Sequence, residues 1–383
     1  MPDLPLSGKV VVELGHSIAA PYAGLILAEL GAEVIKVERV GAGDPVRDWG
    51  PPYSDGIATA FQTFNRSKAG IEVDLRDETQ RDALKTLIVD RADIVLQNLK
   101  AGAADRAGLG SAALMEAKPS LIYCNVHAFG ALGPLKNHPG YDPLMQACGG
   151  LMSVTGEAGD RPPVRIGVSI VDMGAGLWAV IGILSALMKR ATDGTGTVVD
   201  VSLYETAIGW MMWPIGQFLA SGQVPGRQGS GMSTIVPYQT FRAADAYFMI
   251  AAGNDNLFDK LCTAIERPDL AADERFATNG ARVRNRGILV SLLEAVFAES
   301  TVAEWCARLS KLGVPAAPLQ NAAGVVAAEQ TAALKILHQL GGSAQKTVAL
   351  PLSFNGARPL PKGPAPKLGA DTQRILGHGE TAG

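Results

Sequence analysis

A strand–helix–strand pattern repeats along the first half of the chain and limits the fold more than any other feature. Val10 to Glu13 is a short apolar run of strand type, Pro21 suits the first turn of a helix ending near Gly31, and Glu33 to Glu38 (EVIKVE) is a second strand. Further strands are expected at Ile71 to Leu75, Asp93 to Gln97, Leu121 to Val126 and Val198 to Leu203. Helices are expected over Asp77 to Arg91 and Tyr204 to Ala220. Strands alternating with helices predict an α/β fold, Rossmann-like, with a parallel sheet covered on both faces.

The chain has 383 residues, more than the roughly 250–300 at which one core stops growing, so a second domain is expected. The texture changes near Gly222, where Gly222 to Gly231 has the Gly and Pro density of a linker or mobile loop. Short strands at Gln239 to Phe241 and Tyr247 to Ala252 follow, with helices around Leu257 to Ile265, Arg282 to Ala298 and Thr301 to Leu312. This predicts a large domain begun by residues 1–221, a smaller α+β domain over 222–325, and a segment 326–383 returning to the first.

Several function classes are disfavoured. A net charge of -3 supplies no basic footprint for nucleic acid. Cys124, Cys148, Cys262 and Cys306 lie far apart, which is neither a disulfide framework nor a zinc site. The N-terminal segment Met1 to Lys9 has no signal-peptide pattern, and the apolar run Leu177 to Met188 falls short of the about 20 residues of a membrane span, so a cytoplasmic protein with no membrane partner is expected.

Asp172 is the only charge between Arg165 and Lys189. An ionised carboxylate among apolar and glycine neighbours is costly to bury, so it asks for a reason. One reading is a nucleophile at the start of a buried helix, with Gly174 and Gly176 leaving room for a ligand. The other is an N-terminal helix cap. Only Gly15 remains of the glycines a dinucleotide turn would need, which argues against NAD or FAD, though the helix start after Gly15 could still meet part of an anionic ligand. Arg39, Asn98 and Arg106 fall at the same carboxyl edge of the sheet, where arginine suits phosphate and asparagine an adenine or amide. Asp142 lies in a loop, as an Asx turn or as an acid beside Asp172. His16, His127 and His138 lack metal-ligand spacing and read as loop residues or as histidines with satisfied hydrogen bonds.

In order along the chain, these segments resemble the family III CoA-transferases, the CaiB/BaiF group that includes formyl-CoA transferase. The carrying stretches are Leu30 to Glu38, Asn65-Arg-Ser-Lys68, Val73-Asp-Leu75, Pro119 to Tyr123, Gly140-Tyr-Asp142, Gly150 to Gly156, the surroundings of Asp172, and Gly194 to Leu203. The resemblance implies that Asp172 is a covalent nucleophile, and that no metal or tightly bound cofactor is needed, with a coenzyme A thioester as substrate. It implies CoA contacts at Ser17, Ile18, Arg39, Val73, Arg76, Asn98, Leu99 and Arg106, with Tyr141 and Asp142 near the reacting thioester. It further implies two linkers between the domains and an interlocked-ring homodimer.

Similarity is closer to members that use succinyl-CoA and other dicarboxylyl-CoA donors, carried by Ile235 to Gln239, Arg275 to Asn279 and Gly313 to Ala316. Where those members usually show Asn-Ala-His-Pro, this chain has Ser230-Gly-Met-Ser-Thr234, in a loop expected to border the acyl pocket. Partners are therefore an acyl-CoA, a small carboxylic acid and a second copy of the chain. An α-methylacyl-CoA racemase of the same superfamily is the alternative; racemases carry a histidine where Tyr141 stands. A CoA-binding protein without catalysis is the third.

Overall fold

The computed structural model describes residues 4–343 and 345–377, so the first three residues of the N-terminal segment lie outside it. The chain forms two compact units. One takes residues up to Leu151, Arg165–Ala220 and residues from Gln330 on; the other takes Met152–Val164 and Ser221–Glu329. Residues 152–164, expected with the large domain, cluster with the small one.

Six strands build the sheet of the first unit: β1 (Val10–Leu14), β2 (Glu33–Glu38), β3 (Ala69–Glu72), β4 (Ile94–Gln97), β5 (Ile122–His127) and β6 (Val198–Ser202). Every neighbouring pair is parallel. The spatial order is β3-β2-β1-β4-β5-β6, the doubly wound arrangement whose ligand crevice opens where the order reverses, between β1 and β4. The third strand ends at Glu72, three residues short of the expected end, because Val73 to Leu75 run past the sheet toward that crevice.

Alternating side chains cover two faces. On one, Val12, Ile35, Val95 and Tyr123 pack with Leu84, Leu87 and Ile88 of helix α2 (Glu78–Arg91). Asp77 caps α2 by accepting the Gln80 N–H. Truncating Leu84 to alanine in this dry cluster should cost about 2–5 kcal/mol. The other face meets α1 (Ala19–Glu29) and α4 (Ile170–Asp193), with α3 (Asp142–Cys148) lying between them in the chain.

Ser169 starts α4 and Gly194, at φ 74°, ends it. The glycines after Asp172 do not make room for a ligand, as the sequence suggested. A Cβ on Gly176 would lie 2.8 Å from the Ala19 carbonyl, and one on Gly174 would lie 2.8 Å from Thr206 Cγ2 and 2.9 Å from Trp210. They let α4 press against α1 and against α5 (Leu203–Trp210). The expected single helix over 204–220 breaks at Met211 into α5 and α6 (Met212–Ser221).

At 24 residues α4 exceeds the apolar run read from the sequence, and its length and hydropathy would allow a membrane span. Its packing is that of a core helix: Val171, Ala175, Ala179, Val180 and Ile183 are buried in the first unit.

The small unit holds an antiparallel sheet of β7 (Tyr238–Arg242), β8 (Tyr247–Ala251) and β9 (Ala316–Pro318), packed by Phe241, Phe248, Phe297 and Trp305. In the loop that departs from the dicarboxylate pattern, Arg286 donates to the carbonyls of Met232 and Ser233, and Ser230 Oγ bonds Thr240 Oγ1 at 2.7 Å.

Candidate active site

The crevice at the end of β1 and β4 is held open by a tight turn. Ser17 sits at φ 64°, a left-handed conformation costly for a residue with a Cβ. Its N–H donates to Asp44 Oδ1 at 3.2 Å. The Gly15 carbonyl accepts Lys36 Nζ at 2.7 Å, and that ammonium also pairs with Asp44 at 2.9 Å and Glu13 at 3.2 Å. Lys68 meets the other Glu13 oxygen at 2.8 Å. All four charged groups are buried.

This network is coupled. Burial disfavours the Lys36 ammonium, but the carboxylates of Glu13, Asp44 and Glu38 outweigh it and raise its pKa. Lys68 shares Glu13 with Lys36, so burial prevails there and holds its pKa down to about 8. Across the crevice, Asn98 clamps the turn from the other side: its Oδ1 accepts the His16 N–H at 2.9 Å and its Nδ2 donates to the His16 carbonyl at 2.8 Å.

Two cavities open from this turn and share His16, Leu99, Lys100 and Tyr141. One, of about 430 Å³, runs over the carboxyl ends of β1 and β2 past Arg39, Val73 and Leu75. The other, of about 410 Å³, leads past Ser17 and Asn98 to Asp172. An exposed arginine and an apolar wall thus line the outer cavity, and a carboxylate lines the inner one.

Asp172 occupies the first turn of α4 and is half-buried. Its carboxylate does not cap the helix; Ser169 is the capping position, and Asp142 supplies the acceptor. Asp142 Oδ2 takes the N–H groups of Val171 at 2.8 Å and Asp172 at 3.2 Å. Asp142 is thus the first residue of α3 rather than a loop residue, and its charge lies beside Asp172. Burial first, and the Asp142 charge second, push the Asp172 carboxyl up to about 7. At neutral pH the protonated and ionised forms are therefore close to balance.

Acyl transfer forms tetrahedral oxyanions, for which free backbone N–H groups beside Asp172 would be the natural donors. In the first turn of α4, the N–H groups of Ile170 to Met173 are already taken by Val168, Asp142 and Ser169. Ala19, in the first turn of α1, lines the same cavity as Asp172, and its N–H has no acceptor among the described residues.

Of the residues singled out in the sequence, Ser17, Asn98, Leu99, Tyr141 and Asp172 line the inner cavity, and Arg39 and Val73 the outer one. Ile18 is buried at the cap of α1, and Asp142 lies behind Asp172. Arg106 is exposed near Gly102, and Arg76 is exposed with its guanidinium on Asp74 at 2.9 Å. Neither arginine lines either of these two cavities. Lys100 and Lys136 were missed; both line the cavity with Asp172, as do His16, His127 and His138, of which His16 and His127 have ring partners in Asn98 and Asp200, as expected of satisfied histidines. His16 follows Gly15 directly at the end of β1, which was the available signal. Among the described residues no group of His, Cys, Asp and Glu could hold a metal ion.

Comparison with known proteins identifies the family. The profile described as CoA-transferase family III matches residues 6–372. Succinyl-CoA:glutarate CoA-transferase of Mus musculus is 34% identical over 375 residues, 97% of this chain and 86% of that protein. Succinyl-CoA:mesaconate CoA-transferase of Haloarcula hispanica is 35% identical over 386 residues, 96% of this chain and 94% of that protein. The crystal structure of a CaiB/BaiF family protein from Brucella suis superposes with a TM-score of 0.88 at 40% identity, covering 98% of this chain and 99% of that one.

Proposed function

The chain belongs to CoA-transferase family III, and we propose that it moves CoA from succinyl-CoA or a related dicarboxylyl-CoA to a small carboxylic acid through Asp172. The observation that carries this reading is that the cavity lined by Asp172 and the cavity lined by Arg39 lie side by side at one sheet edge, sharing His16, Leu99, Lys100 and Tyr141. CoA would lie with its phosphates toward Arg39 and Lys100, its adenine against Val73 and Leu75, and its thioester at Asp172. Arg76 and Arg106, outside the groove, would meet the phosphates only at its rim.

The chemistry balances without an added base. The Asp172 carboxylate attacks the thioester carbonyl, a C–O bond forms, the C–S bond breaks, and an aspartyl acyl anhydride and CoA thiolate result. The thiolate attacks the Asp172 carbonyl, giving an aspartyl-CoA thioester and releasing the donor acid as its carboxylate. The acceptor carboxylate then attacks that thioester and expels the thiolate. The thiolate attacks the acceptor acyl carbon, so the new acyl-CoA leaves and Asp172 returns to its carboxylate. The Ala19 N–H at the start of α1, which has no acceptor among the described residues, would be free to donate to a developing oxyanion in the cavity that Ala19 lines.

The α4, α5 and α6 surfaces support the interlocked homodimer. Leu177, Trp178, Ile181, Trp210, Trp213 and Leu219 are all exposed in one chain, and apolar surface so concentrated marks an interface. The free thiols at Cys124, Cys148, Cys262 and Cys306 fit a reducing compartment such as the cytoplasm. Tyr141, where racemases carry a histidine, weighs against proton exchange beside the thioester.

Incubation with succinyl-CoA and a mixed panel of dicarboxylic and short monocarboxylic acids, read by mass spectrometry of new CoA esters, identifies donor and acceptor. Asp172→Ala should abolish exchange, and hydroxylamine after acyl-CoA addition should modify Asp172 alone. Transfer retained by a folded Asp172→Ala protein would sink the nucleophile.

A further inference from the structure

Behind Asp142 lies a side chain that the reaction does not touch. Gln146 is fully buried, one turn along α3. Its Oε1 accepts the Ile166 N–H at 2.8 Å, and its Nε2 approaches the Ile166 carbonyl at 3.4 Å. The peptide of Ile166 therefore dictates which end of the amide is which. With the carbonyl end taken, Nε2 is left to donate to Asp142 Oδ1 at 2.5 Å. A residue facing a fixed donor on one side and the N–H groups of Val171 and Asp172 on the other must be acceptor-only. An ionised carboxylate meets that demand, and an amide does not.

We propose that Gln146 is a positioning residue for CoA transfer: anchored on the Ile166 peptide, it holds Asp142 as a carboxylate whose second oxygen seats the first turn of α4 and, with it, Asp172. The proposal rests on the reading of Asp172 as the group that takes the acyl chain. It explains why an acid is buried behind another acid, at a cost in Coulomb repulsion. Asp142 fixes the backbone of Asp172 and at the same time keeps that carboxylate from becoming too weak a nucleophile. The other titratable groups lining the cavity with Asp172 are His16, Lys100, His127, Lys136, His138 and Tyr141. None of them bonds Asp142, so the Gln146–Asp142 pair can be altered without changing them.

The test is a donor–acceptor exchange in the full-length protein, read as the pH profile of transfer. In Asp142→Asn, the new amide sets a donor against Gln146 Nε2 or, flipped, against the α4 N–H groups, so kcat should fall about tenfold or more. In the double variant Asp142→Asn with Gln146→Glu, every hydrogen bond is restored with the charge moved back by one side chain. Only the 3.4 Å approach to the Ile166 carbonyl is lost. That protein should recover to within about tenfold of wild-type kcat, and its acidic limb should lie at lower pH than in wild type. Gln146→Met should lower kcat while leaving KM for the CoA ester unchanged.

A double variant with a native unfolding transition but no more activity than Asp142→Asn would overturn the proposal. So would an acidic limb unmoved in the double variant. If the asparagine variants do not fold, an unchanged kcat in Gln146→Met overturns it instead. Transfer retained in Asp172→Ala defeats the nucleophile reading on its own, whereas failed recovery with Asp172→Ala inactive defeats only the role of Gln146.

Discussion

Asp142 Oδ2 accepts the backbone N–H of Asp172 at 3.2 Å, so the acid that adds to burial in raising the proton affinity of Asp172 also fixes its position. One residue thereby seats the carboxylate and adds to the effect of burial on the pH at which it carries charge.

The first consequence is kinetic. Only the ionised Asp172 attacks a thioester, and its carboxyl is pushed up to about 7. Transfer under kcat/KM conditions should rise with pH through an acidic limb centred near that value. A limb centred near the ordinary carboxylate range, below about 4.5, would show that the free enzyme does not hold Asp172 as the structure has it.

The same shift makes the active protein less stable than it could be. A folded-state pKa above the unfolded one means that the folded chain binds the proton more tightly. The penalty on folding is absent below the unfolded pKa of 3.8, grows as pH rises, and is complete above about 7. Asp172→Asn should therefore be inactive yet more stable at pH 8, by about 2–4 kcal/mol, and no more stable than wild type at pH 3.5. Urea unfolding at the two pH values checks the sign.

The alternation of apolar runs with helical patterns was enough to place Gly15, Arg39 and Asn98 at one sheet edge, because parallel strands bring all their carboxyl ends to the same side. The cap on α4 was not legible, since it joins Asp142 to N–H groups 29 and 30 residues away and depends on how two helices meet. Gly174 and Gly176 were misread for a related reason: a small residue frees space for a ligand or for a neighbouring helix, and only the position of Ala19 and Trp210 decides which. The Asp172 pKa likewise follows from burial and from a neighbour distant in sequence.

Beneath the crevice turn, Lys36 joins Glu13, Asp44 and the Gly15 carbonyl with no water-exposed surface. Lys36→Met would strand the buried Asp44 carboxylate and leave Glu13 with Lys68 alone, and should cost about 3–5 kcal/mol. Asp44 also holds the N–H of Ser17, so KM for the acyl-CoA should rise together with the loss of stability. Denaturant titration and steady-state kinetics on the same preparation test the coupling; a destabilised protein with an unaltered KM would separate the network from the turn.

Arg39 and Arg76 distinguish a placed cation from a surface one. Arg39 is exposed at the outer cavity and its guanidinium bonds no described residue, whereas Arg76 lies outside it with its guanidinium on Asp74. Arg39→Gln should raise KM for the CoA ester about tenfold, an effect that weakens in high salt. Arg76→Gln should change it less, because the wild-type side chain is already engaged. Equal effects of the two substitutions would move the phosphates to the rim of the groove.

The last prediction concerns the outward face of α4 to α6. Trp213 and Leu219 are 57% and 76% exposed in a single chain, and Trp178, Ile181 and Trp210 extend the same apolar character along α4 and α5. Scattered apolar residues on a surface need no explanation, but tryptophans on three successive helices do. A second copy covering them should make the protein sediment at twice its 40.0 kDa chain mass and stay dimeric on dilution, since interlocked rings cannot separate without unfolding. Trp213→Glu with Leu219→Glu would bury charges without partners in that interface, so folded dimer should be lost rather than replaced by active monomer. A wild-type protein that sediments as a monomer while transferring CoA would remove the dimer from the proposed function.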